Sequence, residues 1–341
     1  MKKKHKIALI ILCAVIITGG ICGVSLLRFV NISSPTSAMI YIYPGTTTSI
    51  LKDSIAAKTD EKYGMRIATI LSILNRNKSL RSGAYKITEG DKALTIAKRI
   101  KNGEQTPVNI TFNNIRTIDE FAERVSAGLR ISADELKMAA TDSAFLASMN
   151  ITINELPGVL LPDTYNVYWT ITPGKLMEKL KTSYNNFWNE ARRRKAANKR
   201  LSPIEVAILA SIVEEETNDI SERQIVARLY MNRLNRGMML QADPTVKFAL
   251  GDFGRKRILN VDLEYDSPYN TYKYAGLPPG PIRIAEKSTI DAVLNAPRNN
   301  YLYMCAKEDF SGKHNFATNL AEHNANAAKY RQALNRRGIK K

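Results

Sequence analysis

Three consecutive carboxylates, Glu214-Glu215-Glu216, stand at the end of an apolar run, Val206-Ala-Ile-Leu-Ala-Ser-Ile-Val213. On a helix, at about 100° per residue, the three side chains point in three directions. One of them should face the low-dielectric side shared by Leu209, Ala210 and Val213. Burial and neighbouring like charge raise a carboxyl pKa, and a raised pKa makes a general acid usable near neutral pH. The plainer alternative is that all three fan into solvent where the helix ends. Spacing alone does not choose between these readings, or among the three carboxylates.

Further polar groups follow on turns: Leu240-Gln-Ala-Asp-Pro-Thr-Val246, Tyr269-Asn-Thr-Tyr272 and Gly276-Leu-Pro-Pro-Gly280. Tyrosines beside Asn, Gln and Thr suit sugar rings, offering apolar faces and directional hydrogen bonds. Asp243, before Pro244, reads equally well as a turn residue. His314 and His323 are nine apart with no cysteine nearby, which does not point to zinc. They read better as structural hydrogen-bonding groups. No nucleophile elbow and no Gly-rich phosphate loop is present, and the sequence implies neither a metal nor an organic cofactor.

The elements that must position these groups can be read from the caps. Ser202-Pro-Ile-Glu205 forms a capping box with proline at the first helical position, so the apolar run is a helix buried on most sides. The three carboxylates then sit at its negative end, repelling one another and opposed by the helix dipole. Ser221-Glu-Arg-Gln224 reads as a second capping box, opening a helix that stops near Gly237. Upstream, Met39–Tyr43 is β-prone, Thr46–Lys58 and Arg66–Asn75 read as helices, Gly83–Thr88 as a strand and Ala93–Lys101 as an amphipathic helix closed by Asn102-Gly103. Val108–Phe112 reads as a strand. Thr117 and Glu120 fit a capping box, and helices continue through Ala133–Met149 with Ser132 as cap. Gly158–Trp169 reads as turn-rich and aromatic. Pro173-Gly174 starts a helix through about Lys199, on which Arg192, Arg193 and Arg194 form a solvated face.

The chain has 341 residues, 44% apolar and 24% charged, which excludes a mostly disordered or collagen-like protein. Three cysteines exclude a disulfide framework, and Cys305 reads as a buried small hydrophobe. Ile7–Leu27 runs 21 residues without charge, enough to cross a hydrocarbon core of about 30 Å. Its length and the poor site at Thr36-Ser37-Ala38 favour an uncleaved anchor over a signal peptide. Four lysines precede the span and Arg28 follows it, so the positive-inside rule keeps the N-terminus cytoplasmic and exports the rest. The net charge is +18, of which +13 lies beyond residue 30. Such a surface suits anionic headgroups or acidic glycans; export argues against nucleic acid.

Taken in series, Ala210-Ser-Ile-Val-Glu-Glu-Glu-Thr217, Leu240–Val246, Tyr269–Tyr272, Gly276–Gly280 and His314-Asn-Phe…His323-Asn324, with Leu161-Pro-Asp-Thr-Tyr165 upstream, closely resemble the endolytic murein transglycosylases, the MltG or YceG-like family. The resemblance implies an α+β fold: a cytoplasmic tail (1–6), a transmembrane anchor (7–30), a small LysM-like α+β module (38–106), a strand and helical connecting region (107–155) and a mixed α+β catalytic domain (156–336). It implies a single-pass protein of the cytoplasmic (inner) membrane. Such a protein cleaves nascent peptidoglycan between N-acetylmuramic acid and N-acetylglucosamine, leaves 1,6-anhydro ends and so limits strand length. The partners implied are glycan strands, membrane lipids and peptidoglycan synthases. By the same resemblance Glu214 is the catalytic acid and then base, and Glu216 a second acid of the site. Gln241, Asp243, Thr245, Tyr269 and Asn270 position the glycan or brace the loops. Two other readings stand beside this one: a catalytically silent peptidoglycan-binding scaffold, and a muramidase that uses water. The chain departs from the family at Leu156-Pro157-Gly158, where a glutamate is common, and at Pro281-Ile-Arg-Ile-Ala285, where a Pro-Gly turn is usual.

Overall fold

A computed structural model describes residues 2–75, 79–255 and 257–338. Met1 of the expected tail, 76–78 of the expected LysM-like module and Lys256 of the expected catalytic domain lie outside the described residues. The chain is mixed α+β and divides into two units. One takes in residues up to 109 with 128–130 and 166–171; the other takes in 110–127, 131–165 and 172 onward.

The first unit opens with helix α1 (Lys2–Val30), long and apolar enough to cross a membrane by length and composition. Its apolar side chains from Leu9 to Leu27 face outward without protein cover, with Ile10 67%, Ile16 64% and Leu26 64% exposed, whereas Phe29 and Val30 pack on the core that follows. Then come β1 (Ala38–Ile42), α2 (Thr48–Ala56), α3 (Glu61–Asn75), β2 (Gly83–Ile87) and α4 (Ala93–Asn102). Strands β1 and β2 pair antiparallel, Ala38 opposite Ile87 and Ile42 opposite Gly83. The helices bury Leu51, Ile55, Tyr63, Ile67, Leu71, Ile96 and Ile100 in one core with Ile40, Ile42, Tyr85 and Ile87 of the strands. Each such buried side chain contributes roughly 1.5–3 kcal/mol. Helix α3 begins five residues earlier than its apolar pattern predicts, because the Asp60 carboxylate accepts from the Tyr63 N–H and caps it. Gly103 closes α4 with a left-handed φ of 74°.

Strand β3 (Val108–Phe112) pairs with β4 (Asp163–Val167). Between them lie α5 (Ile118–Ser126), α6 (Ala133–Ala140), α7 (Ser143–Met149) and a 3-10 helix over Ile153–Gly158. The segment 158–169, expected as turns, thus contains a strand. Its Tyr165 and Val167 point inward, and the Tyr165 ring stacks on Phe112 at 5.6 Å. Thr117 caps α5 by accepting from the Glu120 N–H, but the Glu120 carboxylate turns to the Arg116 N–H, so the expected box is only half made.

The expected helix 173–199 is two, α8 (Pro173–Phe187) and α9 (Glu190–Asn198), because Asn189 caps a new start. The arginine triplet is exposed at Arg193 and Arg194, whereas Arg192 is half-buried. Arg192 grips Asp291 through two hydrogen bonds of 2.8 and 2.9 Å, and Arg193 Nε donates to the Trp188 carbonyl at 2.7 Å.

The second unit is built around α10 (Pro203–Glu216), started by the full capping box of Ser202 and Glu205. Val206 through Glu214 are buried without interruption. The chain continues through α11 (Arg223–Asn235), α12 (Asp243–Leu250), α13 (Asn260–Leu263), α14 (Lys287–Asn295), β5 (Tyr303–Ala306), β6 (His314–Ala317) and α15 (Leu320–Arg336). Helices α9, α11, α12, α14 and the 3-10 helix all pack on α10. The Ser221–Gln224 box does not form. The Ser221 hydroxyl donates to Asp219 at 2.5 Å, and α11 starts after Glu222 with no side-chain cap.

Candidate active site

None of the three carboxylates fans into solvent. Glu214 is 6% exposed, and both of its oxygens are engaged. Oε2 accepts from Thr289 Oγ1 at 2.7 Å and from the Glu286 N–H at 2.9 Å; Oε1 lies 3.0 Å from Arg283 Nη2. Arg283 also reaches Glu215 Oε1 and Asn114 Oδ1, each at 2.8 Å, and Arg116 Nη2 meets the same Glu215 oxygen at 2.7 Å. Two guanidiniums thus offset the repulsion and the helix-end penalty for Glu214 and Glu215. Such buried pairs hold only when hydrogen bonds complete them, and here Thr289 and the Glu286 N–H do so. The Glu286 carboxyl is pushed up by burial and by the charge of Glu214.

Glu216 is different. It is half-buried, and its Oε1 accepts from the Tyr230 hydroxyl at 2.7 Å. Burial pushes its carboxyl up to about 7. The Tyr230 hydrogen bond opposes that rise, while the charges of Asp243 and Glu215 add to it. A carboxyl poised near 7 is protonated often enough to give a proton and acidic enough to let it go.

Glu216 and Asp243 line two cavities. The first, about 450 Å³, is also lined by Tyr230, Gln241, Tyr272, Tyr303, Cys305, His314 and His323. The second, about 270 Å³, adds Glu215, Lys247, Arg255 and Arg257. Glu214 is among the lining residues of neither. Asp243 Oδ1 accepts from the Tyr272 hydroxyl at 2.6 Å. Gln241 has a left-handed φ of 51°, a costly conformation for a residue with a side chain. It is held there by its backbone bond to Thr271 and by Arg233, whose Nη2 donates to its Oε1 at 2.5 Å.

The remaining candidates brace rather than line. Thr245 is fully buried and shares hydroxyl bonds with Thr271 at 2.8 Å and the Ala242 carbonyl at 2.7 Å. Asn270 is fully buried; its amide donates to the Leu263 and Tyr265 carbonyls, both at 2.8 Å, and its Oδ1 accepts from the Tyr272 N–H. Tyr269 packs on Phe248 with ring centres 4.8 Å apart. Gly280 passes so close to the 3-10 helix that a Cβ would lie 1.9 Å from the Asn154 carbonyl oxygen.

His314 meets buried Glu222 at 2.9 Å through both Nδ1 and its N–H. His323 stacks on Tyr303 at 5.4 Å, and burial and the Arg233 charge push its imidazole down. Cys305, expected as buried, is half-buried on β5 and faces the first cavity. Arg283, Tyr230 and Arg233 carry the site's electrostatics, yet sequence reading did not single them out. One signal existed: an arginine between Ile282 and Ile284 in an otherwise apolar stretch is destined for burial and so must be paired.

The YceG-like family model matches residues 40–329. The chain is 29% identical over 337 residues, 94% of its own length and 92% of the other's, to the endolytic murein transglycosylase of Bacillus subtilis strain 168. It is 26% identical over 289 residues to the endolytic murein transglycosylase of Streptococcus pneumoniae serotype 2, covering 74% of this chain and 51% of that one. Among solved structures, a yceG-like protein of Listeria monocytogenes superposes with a TM-score of 0.57 at 27% identity, covering 85% of this chain and 98% of that one. With the family model spanning most of the chain, this protein belongs to the YceG-like family.

Proposed function

We propose that this protein is a membrane-anchored endolytic lytic transglycosylase of peptidoglycan, with Glu216 as its acid and base. The relatives' names supply the reaction class. The observation that carries the residue assignment is the Glu216 carboxyl, raised to about 7 and lining two cavities at once. An internal cut needs glycan on both sides of the scissile bond, and a group common to two cavities is suitably sited for it. Protonated Glu216 gives its proton to the glycosidic oxygen as the C1–O bond breaks. The carboxylate left behind takes the proton of the muramic C6 hydroxyl as that oxygen bonds to C1. The products are a free 4-hydroxyl and a 1,6-anhydro end, and the carboxyl is restored. Because the nucleophile is the substrate's own C6 hydroxyl, one carboxyl suffices.

Glu214, the residue to which the motif resemblance points, is proposed as a positioning group. Three of its contacts, to Arg283, Thr289 and the Glu286 N–H, tie it to the segment 283–289, and holding that segment fixes the end of α10. Asp243 and Gln241 are proposed to contact glycan, with Tyr272 orienting Asp243; Thr245, Tyr269 and Asn270 shape the loops. Residues 7–30 serve as anchor in the cytoplasmic membrane with 1–6 inside. Residues 38–106 serve as a LysM-like module positioning glycan, 107–155 as the connection and 156–336 as the catalytic domain. Lipid headgroups and peptidoglycan synthases are the further partners this reading requires.

A second reading has one observation behind it: Asp243 shares both cavities with Glu216. Paired carboxyls are what a water-using muramidase needs. Mass analysis of the ends made by the full chain in detergent from uncrosslinked strands decides. Internal cuts with anhydro-muramic ends are expected. Ends heavier by one water would establish the muramidase, and no new ends from folded protein would leave a binding scaffold.

A further inference from the structure

A cavity of about 660 Å³ lies between α9, α11 and the chain after α14, and its lining does not include Glu216, Asp243 or any other residue of the site described above. Five of its nine lining residues are cationic: Lys195 on α9, Lys199 and Arg200 in the turn that follows, Arg228 on α11 and Arg298 beyond α14. The other four are two asparagines, a leucine and an alanine, so no acid lines it. Five cations brought together at one concavity repel one another and cost stability unless an anion joins them.

Their partners within the protein are neutral or absent. Lys195 Nζ donates to Asn295 Oδ1 at 2.6 Å and Lys199 Nζ to the Ala296 carbonyl at 3.0 Å. Among the described residues, Arg200, Arg228 and Arg298 make no ion pair, and the Arg228 Nε is buried without a hydrogen-bond acceptor. Burial and the charges of Arg228 and Lys195 push the Lys199 ammonium down. A neighbouring cavity shares Lys199 and Arg200 and contains Glu155 and Glu205, but those carboxylates are bound to the Thr152 and Ser202 N–H groups of their helix caps.

We propose that this cavity is a binding site for a phosphate or diphosphate ester. One carboxylate balances one charge; a diphosphate balances two or more, and its oxygens suit the forked donors of guanidinium groups such as those of Arg200, Arg228 and Arg298. The ester could belong to a lipid headgroup or to a soluble molecule, and the chemistry recognised is the same. The site is independent of the proposed cleavage, so either idea can fail without the other.

The test uses the full chain in nanodiscs of neutral phosphatidylcholine, titrated with inorganic pyrophosphate by calorimetry. Saturable binding is expected, weakened about tenfold or more in Arg228→Gln/Arg298→Gln. Melting of that variant no lower than the parent's is the check on folding. The single Arg228→Lys variant, which keeps the charge but loses the fork, should fall between the two. No binding by the wild type, or equal binding by the double variant, would overturn the proposal. In nanodiscs containing phosphatidylglycerol, a weaker apparent affinity for pyrophosphate would assign the site to lipid headgroups, and an unchanged affinity to soluble esters.

Discussion

Replacing Glu216 with Gln removes a carboxyl that the folded protein holds far from its ordinary range. An unfolded glutamate titrates near 4.5; here it titrates at about 7. At about 1.36 kcal/mol per pH unit, ionising it in the fold costs about 3 kcal/mol. The sign follows from proton counting. Between 4.5 and 7 the folded state binds more protons than the unfolded one, so stability falls as pH rises through that window and levels off above it. Glutamine pays no such cost, and its carbonyl oxygen still accepts from Tyr230. Glu216→Gln should therefore be more stable than the parent by about 2–3 kcal/mol at pH 8, with the gain shrinking to nothing near pH 4.5. The assay is urea unfolding of the full chain in detergent across that range. A Trp169→Phe background leaves buried Trp188 to report on the second unit. A difference that does not vary with pH, or a variant less stable at pH 8, would refute the burial argument.

Three other perturbations follow from the same geometry. Tyr230→Phe deletes the hydrogen bond that holds the Glu216 carboxyl down, so the alkaline limb of the cleavage pH profile should move upward by about 0.5–1 pH unit. Gly280→Ala drives a methyl into the Asn154 carbonyl and should cost about 1–3 kcal/mol, read as a lowered melting temperature. Asn270→Ala breaks three hydrogen bonds at a fully buried position. It should cost about 2–4 kcal/mol, with cleavage lost in proportion to unfolding rather than in the folded fraction.

Where caps and periodicity are local, the sequence was a sufficient guide. Ser202 and Glu205 close the box expected of them, Ser132 and Glu135 do the same for α6, and Gly103 ends α4. It failed where two local partners compete. Ser221 has the right spacing to Gln224, yet Asp219 takes its hydroxyl, and Asn189 interrupts a helical pattern that otherwise reads straight through. Strand β4 was hidden because Pro162 and a run of polar residues look like turns, and its pairing with β3 is set some fifty residues away. The sequence brought the three carboxylates and the polar loops into view together, but not the environments that distinguish Glu214 from Glu216. What separates Glu214 from Glu216 is Arg283, 68 positions from Glu215, and Tyr230, 14 positions from Glu216. Neither distance has a local signature.

The central claim is that Glu216, not its neighbour, moves the proton. It is tested most directly by measuring single-turnover cleavage by Glu216→Gln and Glu214→Gln side by side, each with its folding checked. The account predicts a loss of about 100- to 10,000-fold for Glu216→Gln with glycan binding retained, and most of the activity kept by folded Glu214→Gln. Full activity in Glu216→Gln, with the loss falling on Glu214→Gln instead, would contradict it.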